Sequence, residues 1–192
     1  SDAGMPGICD PGEDIAKSAR SQGFDTICIP GACAAITALV SSGLPSSSFI
    51  FEGFLPRKKS ERDKILLEIS KNIKTTIIYE SPKRLKKLLK ELFDFCGGNR
   101  EIMVARELTK KFEEHIGNNI NEVSESFKDK EVIGEITIVI KGINKKKDFN
   151  LDKSIIKKDL NELINAGLSL SAASKYLAKK NGIKKSEIYN LI

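Results

Sequence analysis

The segment SDAGMPGICDPG, from Ser1 to Gly12, holds three glycines, two prolines and two aspartates. It contains no apolar run, so it predicts a loop rather than a strand or a helix. Glycine lets a backbone approach a ligand closely, and proline makes such a loop rigid. The pair Asp10-Pro11 is typical of a helix start, with Asp10 as the N-cap and Pro11 at the first helical position. Composition alone leaves two interpretations open, an ordinary connecting loop and a loop that binds a ligand.

Helix and strand patterns alternate after this loop. Residues 13–22 predict a helix that ends at Gly23, and residues 25–30 (DTICIP) predict a short strand. Residues 32–42 (ACAAITALVSS) predict a helix of small apolar residues that ends at Gly43. This alternation predicts a parallel sheet with helices packed on it. The free N–H groups at the start of the second helix favour an anionic or acceptor group of a ligand.

The middle of the chain predicts several strands joined by short links. Leu44 to Ser48 (LPSSS) is polar and turn-forming, and we place a domain boundary there. Helices are expected up to about residue 72, from Ser81 and Pro82 onward, and over residues 119–129. Strands that follow one another closely favour antiparallel pairing in an α+β domain. The predicted strands are 49–54 (FIFEGF), 75–80 (TTIIYE), 101–106 (EIMVAR), 112–116 (FEEHI) and 132–141 (VIGEITIVIK).

The positive charge is concentrated in the last quarter of the chain. Of the 32 Lys+Arg and 26 Asp+Glu, residues 1–144 hold 21 and 21, and residues 145–192 hold 11 and 5. The net charge of +6 therefore lies entirely in the tail, which predicts a polyanionic partner, nucleic acid first. A solvated lysine-rich surface is the alternative. Three helical patterns, at about 152–166, 169–180 and 184–191, predict a module resembling a helix-turn-helix.

The reactive side chains exclude several classes of protein. The four cysteines form no Cys-x-x-Cys pair, and with the single His115 they make a poor ligand set for zinc, so no metal is expected. We interpret them as reduced thiols of a cytoplasmic protein. The lone histidine also argues against a Ser-His-Asp hydrolase, unless His115 is itself the base. No apolar run reaches the length of a membrane span, so no membrane partner is expected. The cysteines are Cys9, Cys28, Cys33 and Cys96.

Four segments stand in fixed order along the chain. They are Ser1–Gly12; Pro30–Leu39 (PGACAAITAL) with Gly43-Leu44-Pro45; Phe51–Pro56 (FEGFLP) with Tyr79–Pro82 (YESP); and Ala105–Glu114 (ARELTKKFEE). Any one segment is a weak signal, whereas all of them in order are a strong one. Together they resemble a known family, the bacterial methyltransferases that modify a cytidine 2′-hydroxyl in small-subunit ribosomal RNA, within the tetrapyrrole methylases. The resemblance extends to the terminal segment Ile183–Leu191 (IKKSEIYNL), so it covers essentially the whole chain.

Two departures from the family pattern are visible. The usual Pro-Gly-Pro turn reads Pro30-Gly31-Ala32, which relaxes the turn slightly but keeps its glycine. The family also has a first strand, a Gly/Pro-rich loop and further elements before the SDAG segment. They form one wall of the methyl-donor pocket. The resemblance therefore implies that this chain is N-terminally truncated.

The resemblance implies an α/β, tetrapyrrole-methylase-like two-domain fold. The expected parts are a partial parallel-sheet α/β first domain (1–45), a mixed-sheet α+β second domain (46–144) and a small basic helical C-terminal domain (145–192). It also implies S-adenosyl-L-methionine as the methyl donor, held in the cleft between the first two domains. The implied cofactor-binding residues are Ser1, Asp2, Ala3, Pro6, Cys33, Ala34, Tyr79, Glu80, Leu108, Gly134, Glu135 and Ile136.

The implied reaction is 2′-O-methylation of a cytidine ribose in small-subunit ribosomal RNA by a homodimeric enzyme. A general base for the hydroxyl proton could be Glu80 or, second, Glu107. In the alternative interpretation, Glu80 only orients the donor, and Arg106 with Glu107 forms a structural ion pair. RNA is expected to be held through charge. The candidates for RNA contact are Arg57, Lys58, Lys59, Lys83, Arg84, Lys110, Lys111, Lys184 and Lys185.

Two other functions stay open at this point. The same family methylates tetrapyrrole carbons, so a small-molecule methyltransferase is one alternative. A non-catalytic RNA-binding fragment is the other, since one wall of the donor pocket is expected to be missing.

Overall fold

The computed structural model describes residues 4–144, 156–181 and 184–191. It forms two compact units, Ser1–Ile143 and Asn144–Ile192. The helices are α1 (Glu13–Ser21), α2 (Ala34–Ser42), α3 (Lys59–Lys71), α4 (Pro82–Cys96), α5 (Ile120–Phe127), α6 (156–165), α7 (Leu170–Asn181) and α8 (Lys185–Tyr189). The strands are β1 (Phe49–Phe54), β2 (Thr75–Glu80), β3 (Glu101–Arg106), β4 (Glu114–Asn119) and β5 (Ile136–Ile140).

One mixed sheet organises the first unit. Its strand order is β1-β2-β5-β3-β4. Strand β1 runs parallel to β2, and the other neighbouring pairs are antiparallel. The segment ITIVI of β5 is buried at every position, as an apolar run covered on both faces should be. The predicted α/β class and the mixed sheet are thereby confirmed.

Alternate residues of the central strands face two different cores. Ile78, Val104 and Ile138 pack with α3, α4 and α5 on one face. Ile77, Met103 and Val139 lie on the other face, against α2. This division follows from the two-residue period of a strand. The unit therefore has three layers, with the sheet between helices.

Helix α4 forms where its pattern predicts. Ser81 is the N-cap and Pro82 is the first residue of the helix, as expected. The helix ends before Gly97, which has a φ of 77°. Burial of each leucine on the inner side stabilises the fold by roughly 1.5–3 kcal/mol. The four buried leucines are Leu85, Leu88, Leu89 and Leu92.

The predicted strand 25–30 is wrong, because these residues form no regular structure. A strand needs a neighbour for its backbone hydrogen bonds, and none of the five described strands pairs with this segment. Ile27 and Ile29 are consequently 85% and 81% exposed. Helix α2 packs instead on β2 and β5. Over the described residues 4–45 the structure has the helices α1 and α2 and no strand, and the predicted domain boundaries stay a prediction.

The predicted start of α1 is also wrong by a few residues. The N-cap is Gly12 rather than Asp10. The amide of Ala16 donates to the Gly12 carbonyl at 3.0 Å, so the first helical hydrogen bond begins there. The predicted strand 112–116 is displaced in the same way. Strand β4 pairs with β3 over Glu114–Asn119, after a turn that contains Thr109 with a φ of 63°.

The second unit contains the three predicted helices, α6 to α8. Its core is small and comprises Ile156, Leu160, Ala173, Leu177, Ala178 and Ile188. The resemblance to a helix-turn-helix stays a prediction. The predicted linker and the first residues of the predicted helix 152–166 lie outside the described residues. In the described part of the chain, no helix is both long and apolar enough to cross a bilayer.

Candidate active site

A pocket of about 380 Å³ lies at one edge of the sheet. The carboxyl ends of β1, β2 and β3 share this edge with the start of β5, because β1 and β3 run in the direction of β2 and β5 runs against them. The starts of α2 and α4 reach the same place. Ligands of α/β proteins bind at this kind of edge.

The pocket brings together most of the described residues that were predicted to bind the cofactor. These are Cys33, Ala34, Tyr79, Glu80, Gly134, Glu135 and Ile136. Pro6 is not among its lining residues, and Leu108 packs against the core cluster beneath α2. Ser1, Asp2 and Ala3 lie outside the described residues. Sequence reasoning missed Met5, Ile8, Cys9 and Phe54, although all of them belong to the segments that carry the resemblance.

The glycine-rich first loop lies against the start of α2. The Met5 amide donates to the Ala32 carbonyl at 2.8 Å. A Cβ on Gly4 would come within 2.3 Å of that same carbonyl oxygen, so only glycine fits there. The Cys9 sulfur lies close to Gly53, which is at the bulge of β1. A Cβ on Gly53 would lie 3.0 Å from that sulfur. The loop therefore forms one side of the pocket, which agrees with the ligand-binding interpretation of the two that its composition left open.

Tyr79 forms an aromatic wall of the pocket. Its hydroxyl accepts a hydrogen bond from the Ala35 amide at 3.0 Å, and so satisfies one free N–H at the start of α2. Its ring contacts Phe51 edge-on at 4.9 Å and Phe54 at 5.7 Å. Burial, together with the nearby Cys33 thiol, raises the pKa of Tyr79 to about 12. The phenol is therefore neutral at physiological pH.

Glu80 is fully engaged in an ionic network under the pocket. Its side chain has 0% exposure. One carboxylate oxygen lies 2.6 Å from Arg84 and accepts from the Ser81 amide at 2.8 Å. The other lies 3.3 Å from Arg62, whose Nε contacts Glu91 at 2.6 Å. A general base must reach the proton that it removes, so this geometry favours an orienting role for Glu80 over a catalytic one.

Glu107 fastens the loop that leads into β5. It adopts a φ of 52° at the end of β3. Its carboxylate accepts from the Glu135 amide at 2.8 Å and from Lys110 Nζ at 3.1 Å. These two hydrogen bonds, the one from Glu135 first, lower the pKa of Glu107. A Cβ on Gly134, whose φ is 90°, would lie 2.5 Å from the Glu107 side chain. The geometry therefore favours a structural role for Glu107 as well.

The alternative ion pair between Arg106 and Glu107 is not formed. Arg106 binds Glu114 across the β3–β4 pair instead, with both contacts at 3.0 Å. The cross-strand register places Arg106 and Glu114 directly opposite each other, whereas Glu107 lies after the end of β3 and its carboxylate is bound by the Glu135 amide and Lys110.

The basic residues predicted to contact RNA lie in three groups. Arg57, Lys58 and Lys59 follow β1, Lys83 and Arg84 lie in the first turn of α4, and Lys110 and Lys111 follow β3. All three groups flank the pocket edge. Several of these residues have partners in the protein: Lys58 with Glu61, Arg84 with Glu80, and Lys110 with Glu107 and Glu135. Lys184 and Lys185 lie at the start of α8 in the second unit.

The fold and the pocket define a methylase. Residues 1–124 match the family described as Tetrapyrrole (Corrin/Porphyrin) Methylases, and the chain belongs to that family. Two solved methyltransferases share its fold. A cobalt precorrin-4 methyltransferase has a TM-score of 0.54 at 15% identity, over 72% of this chain and 61% of that one. The methyltransferase CobJ has a TM-score of 0.53 at 18% identity, over 72% and 62%.

More similar relatives carry the name "Ribosomal RNA small subunit methyltransferase I". The protein of Halalkalibacterium halodurans is 38% identical over 100% of this chain and 67% of its own length. That of Vibrio cholerae is 39% identical over 98% of this chain and 66% of its own length. The chain thus spans about two thirds of the length of these relatives. The resemblance stated from the sequence segments is confirmed.

S-Adenosylmethionine is the methyl donor of the family, as the resemblance implied. The residues of the pocket fit such a molecule, which combines apolar, aromatic and charged parts. Phe54 and Tyr79 offer aromatic surface, Ala32 and Ala34 leave room beside the backbone at the start of α2, and Asp10 supplies a carboxylate at the rim.

Proposed function

We propose that this chain contributes the donor-binding and RNA-facing part of an enzyme that methylates a cytidine 2′-hydroxyl in small-subunit ribosomal RNA. The observation that carries the proposal is the gathering of Cys33, Ala34, Tyr79, Gly134 and Ile136 in one pocket. The resemblance assigns these residues to the donor, and they come from three separate parts of the sequence. The names of the relatives support RNA as the acceptor.

The residues of the pocket would hold and orient the donor. Tyr79 and Phe54 would cover its apolar part and exclude water. The backbone of Gly134 to Ile136 and of Ala32 to Ala34 would contact its polar groups. When bound, S-adenosylmethionine supplies an electrophilic methyl group on a good leaving group. Alignment of an acceptor hydroxyl beside it can lower the barrier by up to about 7–11 kcal/mol. In this proposal no metal takes part.

The surface around the pocket would hold the RNA. Arg57, Lys59 and Lys83 are exposed and have no ion-pair partner among the residues that the structure describes. They flank the sheet edge that bears the pocket, so they are placed to contact phosphates on either side of a bound nucleotide. The basic second unit, with Lys184 and Lys185, would add further contacts to RNA phosphates. Affinity from such contacts falls steeply with salt.

A methyl-transfer assay tests the proposal. The chain and the Halalkalibacterium halodurans relative, as a positive control, are incubated with S-adenosylmethionine labelled in the methyl group and with small ribosomal subunits. We expect label in the RNA, at a cytidine whose 3′ linkage resists alkali, because a 2′-O-methyl group blocks alkaline cleavage. Label in a precorrin-type tetrapyrrole but not in RNA would support the small-molecule alternative. If both proteins bind RNA but this chain transfers no methyl group, the result would support the alternative of a non-catalytic RNA-binding fragment.

Removal of residues 145–192 tests the role of the second unit. We expect weaker RNA binding in a filter-binding titration, because this segment carries the whole net charge of +6. Donor binding should be unchanged, because every lining residue of the pocket belongs to the first unit. An unchanged RNA affinity would refute the proposed role of the second unit.

A further inference from the structure

A second groove, which we call the α4–α5 groove, lies on the face of the sheet opposite to α2. Its volume is about 370 Å³, and its walls come from α4 and α5. Helices α4 and α5 pack in the core cluster on one side of the sheet, and α2 packs in the cluster on the other. The groove is therefore separate from the pocket described above.

An exposed aromatic ring stands in this groove. Phe93 is 46% exposed, whereas its helix neighbours Leu89 and Leu92 are 1% and 0% exposed. A single apolar residue on a surface is ordinary and needs no explanation. The setting of Phe93 is less ordinary, because three of the six other residues that line the groove are lysines.

The groove carries an excess of positive charge. Lys86, Lys90 and Lys128 line it against one acidic residue, Glu125. Lys128 pairs with Glu125 at 3.1 Å, an exposed contact of little energetic weight. Lys86 donates to the Lys128 carbonyl at 2.8 Å, which fixes its ammonium at the rim without neutralising it. Lys90 has no ion-pair partner within the described ranges. A negatively charged ligand with a flat apolar face fits this combination.

We infer that the α4–α5 groove binds single-stranded RNA, with a base stacked on Phe93 and with phosphates near Lys86, Lys90 and Lys128. Grooves that hold single strands combine cations for the backbone with aromatic rings for the bases. The inference rests on the proposed function, which makes RNA the substrate.

The position of the groove suits an extension of the substrate. Pro82, at the start of α4, lines the pocket, and Phe93 lies eleven residues further along the same helix. A rise of about 1.5 Å per residue separates them by roughly 17 Å. Lys83 and Lys87 lie between the two sites on the exposed side of α4. A strand that leaves the pocket can therefore follow α4 to the groove.

Tryptophan substitution gives a direct test, because the chain contains no tryptophan. Phe93→Trp introduces a single fluorophore into the groove, and a base stacked on it should quench its emission. The probe is a mixed-sequence, single-stranded RNA of about 12 nucleotides, in the range that such sites cover. The matched control is Phe24→Trp, at another exposed phenylalanine outside α4 and α5. We expect quenching at position 93 and none at position 24.

Affinity measurements with a fluorescein-labelled copy of the same RNA complete the test. Phe93→Ala should weaken binding by roughly 5- to 150-fold, and Phe24→Ala should not. Lys90→Ala should reduce the slope of log K against log salt by about 0.7, whereas Lys74→Ala, at an exposed lysine just before β2, should leave it unchanged. Phe93 and Lys90 are exposed, so their variants should fold normally, which circular dichroism checks.

The outcomes separate this inference from the proposed function. If Phe93→Ala leaves the affinity for RNA unchanged, the inference that RNA binds in the α4–α5 groove is refuted, and the proposed function stays intact. Absence of RNA binding by the unsubstituted chain would overturn the RNA assignment and the groove together. Equal quenching by poly-glutamate would show that any polyanion, including an acidic protein segment, occupies the groove, and it would overturn base stacking.

Discussion

Replacement of Arg62 by leucine would remove the cation that joins two carboxylates beneath the pocket. The Arg62 side chain is only 5% exposed, and it contacts Glu91 at 2.6 Å and Glu80 at 3.3 Å. Leucine fills part of the same space but leaves both carboxylates without this partner. The variant thus tests whether the network stabilises the end of β2.

The structure sets the expected size of the effect. Loss of one partner from a buried ion pair costs about 3–5 kcal/mol. Arg84 stays 2.6 Å from Glu80, and Lys87 stays 3.7 Å from Glu91, so the loss should fall at the lower end, about 3 kcal/mol. Arg62→Lys should cost about half as much, because an ammonium keeps the charge but cannot bind both carboxylates as a guanidinium does.

Hydrogen exchange of the Ile77 and Ile78 amides is the suitable assay, since both residues lie in the centre of β2 and are fully buried. A loss of 3 kcal/mol should speed their exchange by about 150-fold, if they exchange through global opening. Lys58→Ala is the control, because the Lys58–Glu61 pair is 71% and 53% exposed and should contribute little. Acceleration of less than about fivefold in Arg62→Leu would refute the stabilising role of the network.

Four further substitutions test the site. Glu80→Gln should lower turnover and donor affinity in similar proportion, and a loss confined to turnover would restore Glu80 as a base. Tyr79→Phe should abolish a phenol ionisation at about pH 12 in an absorbance titration. The raised pKa makes the contribution of Tyr79 to stability complete below pH 10, its ordinary pKa, and lost as the pH rises towards 12. Gly134→Ala should destabilise the fold by about 1–3 kcal/mol in urea unfolding, and more than Gly43→Ala, because position 43 has open space around it. The lowered pKa of Glu107 makes its contribution complete above pH 4.5 and lost at lower pH, so Glu107→Gln should flatten the acid side of a stability profile.

The elements predicted most reliably from the sequence are those whose pattern is local. The segments TTIIYE and VIGEITIVIK are apolar enough to be recognised as buried strands, although the second forms a strand only over Ile136–Ile140. Helix α4 was predictable from its leucine spacing and from Ser81-Pro82. The placement of the pocket was predictable too, since strand ends in α/β proteins converge on one edge.

The expectations that were wrong depended on distant partners. Residues 25–30 have the composition of a strand, but a strand also needs a neighbour, and the described part of the chain supplies none. The contact of Glu80 with Arg84 spans one helical turn and could have been foreseen, whereas Arg62 approaches only through the packing of α3 on the sheet. The alternative Arg106–Glu107 pair does not form because Arg106 binds Glu114 on the neighbouring strand and Glu107 binds the segment before β5, and neither partner is close in the sequence.

The ion pairs and hydrogen bonds of Glu80 and Glu107 bear on the kind of catalysis that this chain can supply. A general base that is free to accept a proton speeds a proton-transfer step by about 10²–10⁴-fold. The Glu80 carboxylate instead binds Arg62 and Arg84, and the Glu107 carboxylate binds the Glu135 amide and Lys110. Positioning can contribute more, up to about 7–11 kcal/mol, and it requires a rigid site. The hydrogen bonds of these two carboxylates hold the Tyr79–Ser81 segment and the loop before β5 in place. Rigidity of the pocket is therefore the contribution that these residues are built to make.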